Sequence, residues 1–219
     1  MIVFEGIDGS GKSTQAEMMC KRLTDEGRQF KRLVFPRYDN QSSALIKMYL
    51  SGEFGSAPDS VNPYAASSFF AVDRYASYIQ DWREYYQSGG MVVTDRYTTS
   101  NALHQGAKIA AEQREHFFKW LYEYEFKLIG LPAPDIVIYM DIEAELAAKR
   151  LRHRQTETGT NADIHESDIE YLKNCAKSGK QAATQHNWYK VPCVLNENER
   201  DIGDMHIEIY NYIFDKAKM

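Results

Sequence analysis

Five short apolar runs, rich in β-branched and aromatic residues, punctuate the chain: Met1–Phe4, Lys31–Phe35, Met91–Thr94, Ile136–Met140 and Val191–Leu195. Each is nearly continuous rather than alternating, the pattern of strands buried on both faces of a parallel sheet. Pro192 cannot donate a ladder hydrogen bond, so the last run is expected at a sheet edge. Helical spacing fills the intervals. Ala16, Met19, Cys20 and Leu23 recur at i, i+3, i+4 and i+7, with Gly27 as a stop. Long aromatic helical stretches follow at Pro63 to Gln87 and Ala110 to Phe126, with others around Ile169, Leu172 and Ala176 and from Ile202 to Ala217. Strand and helix in alternation predict an α/β fold, a parallel sheet with helices on both faces. No repeat or low-complexity tract interrupts it.

The segment Arg150 to Asp163 departs from this scheme, being polar with three early arginines followed by Thr, Gly and Asn. It reads either as a solvated loop or as a mobile lid whose cations reach a phosphate site on closing.

At 219 residues the chain fits one large domain or two small ones. Hydrophobic residues make up 43% and charged residues 26%, which argues against disordered, collagenous or coiled-coil classes. Lys and Arg total 26 against 31 Asp and Glu, a net charge of −5 that argues against a general nucleic-acid binder while leaving room for a local cationic pocket. No apolar run is long enough to span a membrane. Cys20, Cys175 and Cys193 are odd in number and lack metal-ligand spacing, so three reduced thiols are expected. With a structured motif beginning by Gly6 and no targeting peptide ahead of it, a cytoplasmic location is expected.

That motif is Gly6-Ile7-Asp8-Gly9-Ser10-Gly11-Lys12-Ser13, a full G-x-x-x-x-G-K-[ST] between the first strand and the first amphipathic helix. Its glycines let backbone N–H groups surround a phosphate, and the helix N-terminus adds its positive dipole end. Lys12 would reach the β- and γ-phosphates, and the Ser13 hydroxyl would hold Mg²⁺. A dinucleotide G-x-G-x-x-G is absent, as is a guanine-reading [NT]-K-x-D, and the chain is short for an oligomeric motor. A small ATP-dependent kinase is what remains.

Further segments resemble the thymidylate kinase family, which phosphorylates dTMP with ATP. They are Phe4 to Gln15, Phe35-Pro36-Arg37-Tyr38, Phe70-Ala71-Val72-Asp73-Arg74, Asp95-Arg96-Tyr97, Leu131-Pro132-Ala133-Pro134-Asp135 and the arginine-rich lid, in the family's order over nearly the whole chain. The resemblance implies a single P-loop domain over residues 1–219. It implies a five-stranded parallel sheet in order 2-3-1-4-5, a lid at about 150–166, and a homodimer.

Site residues carry over position by position. Gly6, Asp8, Gly9, Ser10, Gly11, Lys12, Ser13 and Thr14 match the phosphate loop, with Asp8 resembling a carboxylate that binds the acceptor 3′-hydroxyl. Asp95 would hold Mg²⁺ directly or through water, its alternative being a turn cap, and Arg96 would bridge donor and acceptor phosphates. Phe70 and Arg74, four apart on one helix face, resemble the pair that stacks on thymine and donates to its O4. Arg37 and Tyr38 resemble acceptor-phosphate contacts, and Asn101 a polar neighbour of the base. His104 stands where many members carry a bulky residue against the sugar 2′ position, and it could equally be a surface histidine.

Some members carry a basic residue in the loop at the position of Gly9. Glycine here leaves charge neutralisation to Arg150, Arg152 and Arg154, as in bacterial-type enzymes, with Arg154 at the transition state. Asp163 and Glu166 resemble lid carboxylates near the acceptor sugar, whereas Ile164, Lys177 and Lys180 depart from arginine-rich positions. Adenine contacts would fall to Arg150 and the Asn196–Arg200 region.

Transfer between two phosphates needs no strong base, because the attacking oxygen is already anionic; it needs cations and positioning. Lys12, Arg96, Arg150, Arg152 and Arg154 supply that charge. Two rival readings are a kinase for another pyrimidine monophosphate, such as dUMP or UMP, and a non-catalytic nucleotide-binding regulator.

Overall fold

The central strand β1 (Ile2–Glu5) is buried throughout, as its unbroken apolar run requires. In the computed structural model, which describes residues 1–158 and 168–216, it lies between β3 (Met91–Asp95) and β4 (Ile136–Asp141). The edge strands are β2 (Phe30–Val34) and β5 (Tyr189–Pro192). All pairings are parallel and the strand order is β2-β3-β1-β4-β5, as the resemblance implied.

The last apolar run is not one strand. Chain direction changes at Cys193, whose N–H donates to Asp141 O at 2.8 Å. Val194–Leu195 (β6) then pairs antiparallel with Asn198–Glu199 (β7). Asn196 and Glu197 both have positive φ, 50° and 65°, the two-residue hairpin turn that suits twisted strands. Pro192, without an N–H, ends β5 at the sheet edge where it was expected.

Helix α1 (Lys12–Asp25) starts at Gly11 and buries Ala16, Met19, Cys20 and Leu23, the four positions of its apolar spacing. A short helix, α2 (Ala44–Leu50), precedes α3 (Pro63–Ser77). Asn62 caps α3 by accepting from Tyr64 N–H at 2.9 Å, and Pro63 takes the first helical position, where its missing N–H costs nothing. A π-turn over Tyr78–Trp82, with Trp82 fully buried, joins α3 to α4 (Arg83–Gln87). Thus the stretch Pro63 to Gln87 is helical throughout, but not as one regular α-helix. The next two helices are α5 (Thr98–His104) and α6 (Arg114–Tyr122), the latter extended by a π-turn to Leu128.

Helix α7 (Ala144–Thr158) corrects the loop reading of the arginine-rich segment, since the backbone stays helical through Arg150, Arg152 and Arg154. Arg, Leu and Gln are good helix formers, and Ala147 and Leu151, four apart, bury one side against the core. Helices α8 (Ile169–Gln185) and α9 (Ile202–Lys216) complete the layers. Cys20, Cys175 and Cys193 are buried free thiols; burial pushes Cys193 up to about 11, so it stays protonated at neutral pH. No described helix is long and apolar enough to cross a membrane.

Candidate active site

The phosphate loop leaves the end of β1 and enters α1, so its backbone amides converge where the positive end of the helix dipole lies. Gly9 has φ 81°, and a Cβ there would lie 2.4 Å from the Ala147 carbonyl oxygen of α7. A basic side chain at that position is therefore excluded by the packing of α7 over the loop. Lys12 is buried and donates to Ile7 O at 3.3 Å and to Asp8 Oδ1 at 3.1 Å. Burial and the neighbouring Arg96 charge lower its pKa, against the pull of Asp8.

Beside the loop, a cleft of about 640 Å³ is lined by Gly9 to Gln15, by Arg150 and Arg154 of α7, and by Glu199 to Ile202. Ser10, Gly11, Ser13 and Thr14 all face it. Arg150 donates twice to Glu199 Oε2, at 3.2 and 2.7 Å, tying α7 to the hairpin. Arg154, one turn further, lines the same cleft.

A second, narrower pocket of about 70 Å³ is lined by Phe70, Arg74, Asn101, His104 and Gln105. Arg74 is 2% exposed, and its charge is met by Glu125, which accepts from Nε at 2.8 Å and from Nη2 at 2.6 Å. The same carboxylate accepts from Thr98 Oγ1 at 2.7 Å and Asn101 Nδ2 at 3.2 Å. A fork-to-fork pair of this kind fixes the guanidinium plane and leaves Nη1, which makes no hydrogen bond among the described residues, with both its N–H donors to offer. Phe70 packs edge-on against Tyr49 with ring centroids 6.4 Å apart.

Asp8, Tyr38 and Arg96 line both cavities. Arg96 has a positive φ of 73°, uncommon for a residue with a side chain, and pairs with Asp8. Burial alone would raise the Asp8 pKa, but the Arg96 and Lys12 charges outweigh it and hold the carboxyl well below its usual range. On its other side Arg96 Nη1 lies 3.0 Å from His104 Nε2. His104 is buried, not the surface histidine that its sequence context allowed. Beneath this turn Glu5 accepts from Tyr97 N–H at 3.1 Å, Thr99 Oγ1 at 2.6 Å and Ser100 Oγ at 2.9 Å. Burial raises the Glu5 pKa against these hydroxyls and the nearby cations.

Other expected site residues stand apart. Arg37 lines neither cavity; Asp73 of α3 holds it, accepting from its backbone N–H at 2.9 Å and from Nε at 3.5 Å. Arg152 is exposed on α7 and does not line the cleft. Asp95 sits at the end of β3, its Oδ1 buried without a hydrogen-bond partner. Gly6 begins the loop without lining the cleft. Asp163 and Glu166 lie outside the described residues.

Sequence reasoning passed over Glu5, Asp73, Gln105 and Glu125. Gln105 is fully buried, lines the narrow pocket, and leaves both Oε1 and Nε2 unpartnered. Its only sequence signal is adjacency to His104. Glu125, in an aromatic stretch, gives none: its partner Arg74 is 51 residues away.

The sequence model of the thymidylate kinase family matches residues 4–204. A thymidylate kinase of Mycobacterium tuberculosis (strain ATCC 25618 / H37Rv) is 35% identical over 187 residues, 84% of this chain and 86% of the relative. One from Homo sapiens is 29% identical over 162 residues, 73% and 69% of the two chains. One from Prochlorococcus marinus (strain NATL2A) is 27% identical over 220 residues, 98% of each. With a phosphate loop, a buried arginine pocket and a junction between them already in place, this chain belongs to the thymidylate kinase family and is an ATP-dependent phosphotransferase.

Proposed function

We propose that the narrow pocket takes dTMP, that the cleft takes ATP, and that the γ-phosphoryl group crosses between them at Asp8 and Arg96. The observation that carries this reading is the junction: the residues common to both cavities include Arg96, a cation placed to reach both phosphates, and Asp8, which holds its guanidinium. Phe70 stacks on the base and Arg74 Nη1 donates to the thymine O4. An arginine has no acceptor, so a cytosine amino group would face donor with donor. The orphaned Gln105 amide, donor and acceptor together, suits the remaining polar edge of the base, and Asn101 lies beside it. Asp8 receives the 3′-hydroxyl and Tyr38 the acceptor phosphate, and Arg37 would join Tyr38 on leaving Asp73, which holds it outside both cavities.

Lys12 and the loop amides hold the β- and γ-phosphates, while Arg154 meets the moving phosphoryl group and Arg150 the adenosine side, near the Asn196–Arg200 hairpin. Because α7 seals Gly9, transition-state charge comes from α7, which supports the bacterial-type lid reading. The donors present suit Mg²⁺: hydroxyl and carboxylate oxygens at Ser13 and Asp95, the latter with an unpartnered buried oxygen. The ion would neutralise charge on the β- and γ-oxygens.

One domain spans the chain, and the active form is a cytoplasmic homodimer. Val72, Tyr75 and Ile79 form an exposed apolar stripe along α3 and the following turn, at 52%, 43% and 41% exposure, which suits a second copy. A one-chain mass for the wild type by light scattering would sink the dimer assignment; in a wild-type dimer, Tyr75→Glu should give a monomer, and an unchanged mass would exclude this face as the interface.

ADP release with Mg·ATP and a panel of acceptors tests the substrate assignment. Rapid turnover with dTMP, slower with dUMP and negligible with dCMP is expected. Equal turnover with UMP would favour the wider pyrimidine kinase, and none with any acceptor the regulator.

A further inference from the structure

His104 lines the narrow pocket beside Arg96, which faces both cavities, and that contact makes its charge state matter. Its Nε2 lies 3.0 Å from Arg96 Nη1. An arginine nitrogen only donates, so Nε2 must accept, and the imidazole must be neutral with its proton on Nδ1. That proton has an acceptor: Nδ1 lies 3.7 Å from Cys175 Sγ on α8, a thiol that burial keeps protonated. The backbone is pinned too, since Tyr171 Oη donates to His104 O at 2.7 Å. Asp8 holds the opposite side of the same guanidinium.

We propose that neutral His104 is a positioning residue that holds Arg96 across the two phosphate sites, so that protonating this imidazole withdraws Arg96 from the transfer geometry. The inference rests on the reading of Arg96 as the bridge between donor and acceptor. A proton on Nε2 would set N–H against N–H at hydrogen-bond distance and place two cations side by side. The groups facing the ring have opposing effects. Arg96 from the β3–α5 turn favours the neutral form, whereas Asp8 from the phosphate loop favours the cation. Cys175 and Tyr171 from α8 stay uncharged near neutrality. Lys108 and Arg114 act on Cys175 from beyond α5, and both add positive charge.

The test compares pH profiles of kcat, at saturating Mg·ATP and dTMP, for the wild type, His104→Gln and His104→Phe. The dTMP phosphate titrates in the same window in all three, so only differences between profiles count. Glutamine offers a carbonyl acceptor to Arg96 that does not titrate. Between pH 8 and pH 6 the wild type should lose about 3-fold more kcat than His104→Gln. His104→Phe should lose roughly 10-fold in kcat at pH 8 with little change in the KM for ATP, and His104→Gln should regain part of that loss. Coincident wild-type and Gln profiles, or a Phe variant as fast as wild type, would overturn the proposal. Should the variants fold poorly, ¹⁵N NMR of the wild-type imidazole decides: an unprotonated Nε2 at pH 7.5 supports it, and an Nε2–H tautomer refutes it. Absence of any dTMP-dependent turnover in the wild type would instead strike the kinase reading, and the NMR result would still stand.

Discussion

The two cavities that meet at Arg96 are built in opposite ways. Around the narrow pocket the charged groups are buried and already paired: Arg74 is gripped by Glu125, which also collects Thr98 and Asn101. Around the cleft the cations of α7 are exposed or half-buried, and Arg150 pairs with Glu199, itself 51% exposed at its side chain, and makes a long contact of 3.5 Å to the Gly9 carbonyl oxygen. A buried fork holds its geometry without substrate, whereas a surface pair contributes little and exchanges readily. The pocket is thus pre-organised to select the acceptor, and the cleft is arranged to gather charge once ATP is present. Selectivity and rate should therefore respond to different substitutions.

The largest effect on rate is expected on the cleft side. Lys12→Ala should cut kcat by ~10²–10³-fold with a much smaller change in dTMP affinity, measured by steady-state kinetics and calorimetry. The largest effect on stability is expected on the pocket side. Glu125→Ala leaves Arg74 buried without its partner and should cost about 3–5 kcal/mol in denaturant unfolding. A loss below about 1 kcal/mol would mean that the pair is no more than a surface-like contact.

These two residues also show what the sequence made legible. Lys12 was visible because its whole environment is local: strand, glycines, lysine and helix lie within one short motif. The strands were legible for a similar reason, since continuous apolar runs report burial on two faces. Glu125 was not, because a buried ion pair between distant helices leaves no periodicity. The helical course of α7 through the arginines was not legible because its polar face resembles a loop in composition, although Ala144, Ala147 and Leu151 mark a buried side. The split at Cys193 escaped because an apolar run does not show where hydrogen bonding changes partner strand.

A moderate effect should separate binding from folding within the pocket. Gln105→Leu removes an amide that is orphaned without ligand, so unfolding stability should hold or rise while dTMP affinity falls ~10-fold. Reduced stability would show that the amide is paired within the protein. The smallest effect concerns Lys108, whose pKa burial lowers to about 8. It donates to Tyr49 Oη at 2.8 Å and Val61 O at 3.1 Å but has no carboxylate partner among these bonds. The unfolded chain binds this proton up to about pH 10.4, the ordinary lysine value, so the unfolded state holds more protons between the two values. Stability should accordingly rise with pH from about 8 towards 10, and Lys108→Met should flatten that rise.

Hydrogen exchange by mass spectrometry tests the contrast between the cavities most directly. Amides of α3 and α5 should be protected in the free protein and change little when dTMP binds. Those of α7 from Arg150 onward should exchange fast in the free protein, stay fast with dTMP alone, and slow only when a non-hydrolysable ATP analogue and Mg²⁺ are added. Protection of α3 and α5 that arises only on dTMP binding, or an α7 already protected in the free protein, would contradict the division between a pre-organised pocket and an assembled cleft.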